Sequence, residues 1–158
     1  MNELMQAVSQ AETIAIGGHV RPDGDCIGSC MGLYSYIQDN FPGKKVTVYV
    51  EEIPSAFAYL SKEEAMTEQC GTDQVYDLFV ALDCGDKERL GEAAGILEKA
   101  KATYCVDHHI TNTHFCQKEQ VEADASSTSQ ILYTLMEDEK ISYATACCLY
   151  TGIIHDTG

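Results

Sequence analysis

Four short runs of apolar, β-branched and aromatic residues recur along the chain: Thr13 to Gly18 (TIAIGG), Lys45 to Val50 (KVTVYV), Asp77 to Leu82 (DLFVAL) and Thr103 to Val106 (TYCV). Runs of this length and composition predict buried strands. Between and after them the period changes. Ile27, Met31, Tyr34, Ile37 and Phe41 fall at three- and four-residue steps, which predicts a helix over 27–41 stopped by Pro42-Gly43. Asp86 is placed to cap a helix running to Lys101, SSTS opens another over 126–137, and a last helix is expected from Ser142 into Ile154. Strands alternating with helices predict an α/β fold: a mainly parallel sheet with helices on both faces. In such a sheet the ligand gathers at the carboxyl ends of the strands, beside the switch in strand order.

Those ends carry the polar chemistry. The first strand runs into His19 and then Asp23-Gly24-Asp25, the third into Asp83 and Asp86, the fourth into Asp107-His108-His109, and the last helix into His155-Asp156. A single such group has a plain structural reading, because turns and helix caps favour aspartate. Four groups aimed at one crevice are far rarer by chance. Carboxylates and neutral imidazoles with no thiolate among them select hard or borderline divalent cations, Mn²⁺ or Mg²⁺. Two such ions roughly 3.5 to 4 Å apart share a bridging carboxylate, activate a water and neutralise phosphate oxygens. Two carboxylates separated by Gly24, which allows a tight turn, suit ligation of two different ions.

Composition narrows the partners. The chain has 158 residues, with 10 Lys+Arg against 25 Asp+Glu and a formal net charge of −15. That excludes a basic coat for long duplex nucleic acid, which binds through lysine and arginine. At 45 % hydrophobic residues it reads as one domain over 1–158. No apolar stretch has the length of a membrane span and no secretory leader opens the chain, so a cytoplasmic location without membrane contact is expected. Eight cysteines lie mostly in apolar runs without a C-x-x-C pair, the pattern of reduced, core-packing thiols. The chain stops at Gly158 directly after an apolar helix, with no polar tail, which reads as a piece of a longer protein.

Taken together, HVRPDGDCIGS (His19 to Ser29), ALDCGD (Ala81 to Asp86), VDHHITN (Val106 to Asn112) and YTGIIHDTG (Tyr150 to Gly158) resemble, in order and spacing, the motifs of the DHH phosphoesterases. PDGDCIGS, SSTSQILYTL and LYTGIIHDTG are similar to the branch that hydrolyses short oligoribonucleotides and 3′-phosphoadenosine 5′-phosphate. Members of that branch continue into a second, smaller substrate-binding domain absent from this chain. The resemblance implies two Mn²⁺ ions, Mg²⁺ being possible: one held by His19, Asp23 and Asp83, the other by Asp25, Asp83, His108 and Asp156. It implies that His109 contacts the scissile phosphate or assists the leaving oxygen, and that Asp107 orients its neighbours. For Ser29 two readings stay open, a hydroxyl meeting phosphate at a helix start and an ordinary cap. His155 reads as a surface or supporting residue, since neighbours on a helix point about 100° apart. His114 reads as structural or solvent-facing, and Tyr34, Tyr36, Tyr133 and Tyr150 as packing residues.

The functional expectation is a two-metal phosphoesterase acting on short RNA or a small nucleotide. The alternatives are a pyrophosphate, polyphosphate or cyclic-dinucleotide hydrolase of the same superfamily, and a catalytically silent nucleotide-binding module. A homodimer is left open.

Overall fold

The first predicted run forms β1 (Thr13–Gly17), and every residue after Thr13 in it is buried. The computed structural model describes residues 1–60, 66–67 and 73–157. On one side of β1 lie β2 (Lys45–Tyr49) and the two-residue β3 (Met66–Thr67). On the other side lie β4 (Leu78–Leu82), β5 (Ala102–Asp107) and β6 (Lys118–Val121). The order is β3-β2-β1-β4-β5-β6 and every pairing is parallel, so the expected mainly parallel sheet is wholly parallel among the described residues. Chain direction across the sheet reverses between β1 and β4, which opens a crevice at their carboxyl ends. The unpredicted β6 is an edge strand of half-exposed Lys-Glu-Gln-Val, and an edge has no need of an apolar run.

Parallel strands need crossovers, and their helices cover both faces. Against one face pack α1 (Glu3–Gln10), α2 (Gly24–Asn40), α4 (Thr128–Leu135) and α5 (Tyr143–Thr157), around Leu4, Ile27, Leu33, Leu78, Ile131 and Leu149. Helix α1 was not legible as a periodic run; it is short, buries Leu4, Met5 and Val8, and is capped by Asn2, whose Oδ1 accepts from Met5 N at 3.0 Å. The other face holds Phe79, Leu90, Ile96 and Leu97 under a 3₁₀ segment (Lys87–Ala93) and α3 (Ala94–Lys99). Asp86 caps that segment as its spacing predicts, accepting from Arg89 N at 2.8 Å. The single helix expected over 86–101 is broken by Gly91, whose φ of +63° belongs to the left-handed region.

Helix α5 lies along α2 at close range. A Cβ at Gly28 would stand 2.5 Å from the Cys148 carbonyl oxygen, so small residues set the approach of the two helices. The same contact revises the reading of Gly24: it is the first residue of α2 rather than a tight turn, and a side chain there would collide with the His155 ring. All seven described cysteines are free, five of them buried as small apolar groups, while Cys70 lies outside the described residues. No helix of the described residues is long and apolar enough to cross a membrane.

Candidate active site

The crevice is built from strand ends. His19 follows β1, Asp83 follows β4, and Asp107 is the last residue of β5, directly before His108 and His109. Asp23 caps α2, accepting from Cys26 N at 2.9 Å, and Asp25 sits in the first turn of that helix. Asp156 arrives from the far end of α5. Eight residues from five elements therefore meet at one place.

Asp83 stands at the middle of them. Its Oδ2 lies 3.3 Å from His19 Nε2, and its Oδ1 lies 3.4 Å from His108 Nε2. On the first side His19 Nε2 also faces Asp23 Oδ1 at 3.5 Å. On the second, His108 Nε2 faces Asp156 Oδ2 at 3.2 Å and Asp25 Oδ2 at 3.6 Å. Donor atoms of His19, Asp23 and Asp83 lie within 4.8 Å of one another, as do those of Asp25, His108 and Asp156 and those of Asp83, His108 and His109. Ligands about 2.1 Å from an ion are roughly 3.0 Å apart along an octahedral edge and about 3.4 Å along a tetrahedral one. The observed separations match those edges, and the donor set of oxygens and imidazole nitrogens fits hard or borderline divalent ions.

Asp83 holds its position at a conformational cost. Its φ is +56°, a region costing an ordinary residue about 1–3 kcal/mol but comparatively tolerable for aspartate. That turn, fixed by Asp83 N donating to Val106 O at 3.0 Å, brings the carboxylate back over the strand ends.

Charge completes the argument for a cation. Among the described residues, the ion-pair partners of Asp23, Asp25, Asp83 and Asp156 are all histidines. Burial pushes His19 down, but hydrogen bonds to Asp23 and Asp83 overcome it and raise the ring from 6.5 to about 11. The Asp83 contact raises His108 from 6.5 to about 9 against its burial. Burial drives Asp25 up, reinforced by the neighbouring Asp83 charge. Asp83 is driven up by burial too, yet His108 and His19 together hold it below the usual carboxylate range. Carboxylates this close attract protons, and divalent ions would take the protons' place.

Supporting contacts fix the candidate ligands. His19 Nδ1 lies 2.7 Å from the Val20 carbonyl oxygen, which leaves Nε2 for the cluster. Asp25, fully buried, accepts from Thr128 N at 2.9 Å, Ser129 N at 3.0 Å and Ser129 Oγ at 2.8 Å. Thr128 Oγ1 donates to Asp83 Oδ1 at 3.3 Å. Asp107 is fully buried, accepts from Asn112 Nδ2 at 2.8 Å, and pairs with His109 Nδ1 at 2.6 Å. That pair raises His109, which remains half-exposed and keeps its other nitrogen available to a substrate.

The remaining residues singled out by the motifs divide between their expected places and others. Ser29 is fully buried within α2 and donates to Cys26 O at 3.1 Å, and the cap of that helix is Asp23. His155 packs edge-on against Phe57, with ring centroids 4.6 Å apart, outside the ligand groups. His114 is exposed and bonds Glu119 at 2.8 Å. Tyr36 is buried as expected, whereas Tyr133 and Tyr150 are exposed. The roles of Thr128 and Ser129 escaped the sequence reading; SSTS signalled a helix start but not which carboxylate its amides would meet.

Residues 13–153 match the model of the DHH family, N-terminal domain. The chain is 29 % identical over 157 residues to a probable bifunctional oligoribonuclease and PAP phosphatase of Streptococcus mutans, covering 98 % of this chain and 49 % of that protein. It is 26 % identical to a cyclic-di-AMP phosphodiesterase of Bacillus subtilis, covering 98 % of this chain and 26 % of the relative. A crystal structure of an exopolyphosphatase-related protein from Bacteroides fragilis superposes with a TM-score of 0.88 at 27 % identity, over 98 % of this chain and 49 % of the other. The chain thus spans about half the length of the oligoribonuclease relative.

Proposed function

The chain belongs to the DHH family, and from that premise we propose that it is a two-metal phosphoesterase acting on short oligoribonucleotides and on the 3′-phosphate of 3′-phosphoadenosine 5′-phosphate. The observation that carries this reading is Asp83, whose two carboxylate oxygens face His19 on one side and His108 on the other. One carboxylate shared by two adjacent donor groups is the arrangement a pair of ions requires.

In this reading His19, Asp23 and Asp83 hold one ion, and Asp25, Asp83, His108 and Asp156 hold the other. Mn²⁺ suits the mixed imidazole and carboxylate set, with Mg²⁺ as its substitute. When bound, two such ions activate a water and neutralise the charge developing on the phosphate. The protein's own part is placement. Thr128 and Ser129 keep Asp25 aimed at the cluster, while Asp107 fixes the His109 ring and favours its protonated form. His109 then lies at the open side of the cluster, where it donates a proton to the oxygen leaving the phosphate. The acidity of the chain is compatible with a small substrate that contributes few phosphates.

Hydrolysis of a diribonucleotide, 3′-phosphoadenosine 5′-phosphate, pyrophosphate and cyclic-di-AMP in Mn²⁺ tests the assignment. Preferential turnover of the first two is expected. Negligible cleavage of both, with turnover of either of the others, would transfer the assignment to the polyphosphate or cyclic-dinucleotide reading that two of the relatives' names carry.

A further inference from the structure

Beside the metal-ligand cluster lies a second concavity, on the opposite face of the sheet from α2. It encloses about 360 Å³ at the carboxyl ends of β1 and β2, within the roughly 300–1,000 Å³ range of small-molecule sites. His19 lines it, so the cavity adjoins the cluster through a shared residue. The Gly91 kink shapes its far wall: a Cβ there would stand 2.7 Å from Val20 Cγ1, and Val20 N is tied to Arg89 O at 2.7 Å.

Its walls and its rim differ in character. Tyr49, Leu90 and Ala93, each nearly fully buried, supply an apolar lining. Glu51, Glu52 and Glu92, all exposed, supply acceptors at the mouth, Glu51 also accepting from Arg21 N at 3.1 Å, and among the described residues no lysine or arginine lines the cavity. A phosphate is repelled from such a place. A flat, uncharged group with hydrogen-bond donors on its edge is not.

We propose that this cavity receives the base of a nucleotide whose phosphate lies at the cluster, and that its glutamates select bases bearing an exocyclic amino group. The inference rests on reading the cluster as a nucleotide phosphoesterase centre. The apolar walls take the faces of the ring, and the carboxylates accept from the amino group, as Asp and Glu do from cytosine N4. Uracil, of the same size, presents a carbonyl oxygen there and meets the carboxylates acceptor to acceptor. Cytosine is therefore favoured over uracil by roughly tenfold.

Two measurements on the protein test this separately from its activity reading. In kcat/KM with Mn²⁺, CpC should exceed UpU by about tenfold, and the triple variant Glu51→Gln, Glu52→Gln, Glu92→Gln should bring the ratio near one without changing hydrolysis of a chromogenic phosphodiester. In the metal-free protein, millimolar cytidine should shift the amide resonances of Val20, Gly91 and Ala93 more strongly than uridine does. Equal shifts by the two nucleosides, or no shift by either, would overturn the proposal, whether or not dinucleotides are hydrolysed. Cytidine-selective shifts in a protein that cleaves no dinucleotide would uphold the cavity and overturn the activity instead.

Discussion

Asp25 and Ser129, 104 positions apart in the chain, are joined by two hydrogen bonds to one carboxylate oxygen: Asp25 Oδ1 accepts both the Ser129 amide at 3.0 Å and its hydroxyl at 2.8 Å. Both residues are fully buried. The first turn of α4 therefore supplies the donors that hold a candidate metal-ligating carboxylate inside the protein. Ser129→Ala removes the hydroxyl bond and keeps the amide bond. Mn²⁺ affinity measured by calorimetry should fall about 10- to 100-fold, the usual effect of losing a group that orients a ligand. Unchanged affinity would show that the two amides alone suffice.

Gly152 faces the same pair from α5. A Cβ there would collide with the Ser129 side chain and stand 3.1 Å from Asp25 Oδ1. Gly152→Ala should lower stability by about 1–3 kcal/mol through overpacking, read as a lower thermal midpoint, and should weaken Mn²⁺ binding in parallel. A stable variant with weakened metal binding would place the whole effect on Asp25.

Asp83 combines a shared carboxylate with a left-handed backbone, and two substitutions separate these properties. Asp83→Asn accepts the positive φ while losing the charge, so the fold should persist and kcat should fall by at least about a hundredfold. Asp83→Val loses the charge and also strains the backbone, so its unfolding midpoint should drop as well. The loss in Asp83→Asn should exceed that in His19→Ala or His108→Ala, because only Asp83 belongs to both sides of the cluster.

The histidines set a pH dependence of known sign. In the metal-free protein His108 is raised from 6.5 to about 9, so the stability it contributes is fully present below 6.5 and is lost as pH rises through about 9. Ligation needs the neutral ring, so metal binding displaces that proton. Apparent Mn²⁺ affinity should climb with pH across this window, by roughly tenfold per unit for each proton released. Proton release measured in two buffers of different ionisation enthalpy checks the count.

His109 is raised by its 2.6 Å bond to Asp107. Asp107→Asn keeps the shape and removes the charge, so the His109 proton should leave at lower pH. The alkaline limb of kcat should move toward acid, while Mn²⁺ affinity changes little. An unmoved limb would show that another group supplies the proton to the leaving oxygen.

The sequence alone determined the frame. The runs at 13–18, 45–50 and 77–82 are short and rich in β-branched and aromatic residues, and helical patterns separate them, so their place in a parallel sheet was legible. The residues just beyond them were legible as candidate ligands, because a parallel sheet gathers its strand ends on one side. What the sequence left hidden depended on contacts between distant segments. The polar edge strand β6 borrows its hydrogen bonds from β5 and carries no apolar period of its own. The break at Gly91 follows from its fit beside Val20, and Gly24 faces the His155 ring rather than a turn. Ser29 read as standing at a helix start, but α2 begins at Gly24 with Asp23 as its cap, which leaves the serine buried inside the helix. The grip of Thr128 and Ser129 on Asp25 exists only once α4 is docked against α2 and α5, because neither local propensity nor spacing records which buried carboxylate a helix terminus will meet.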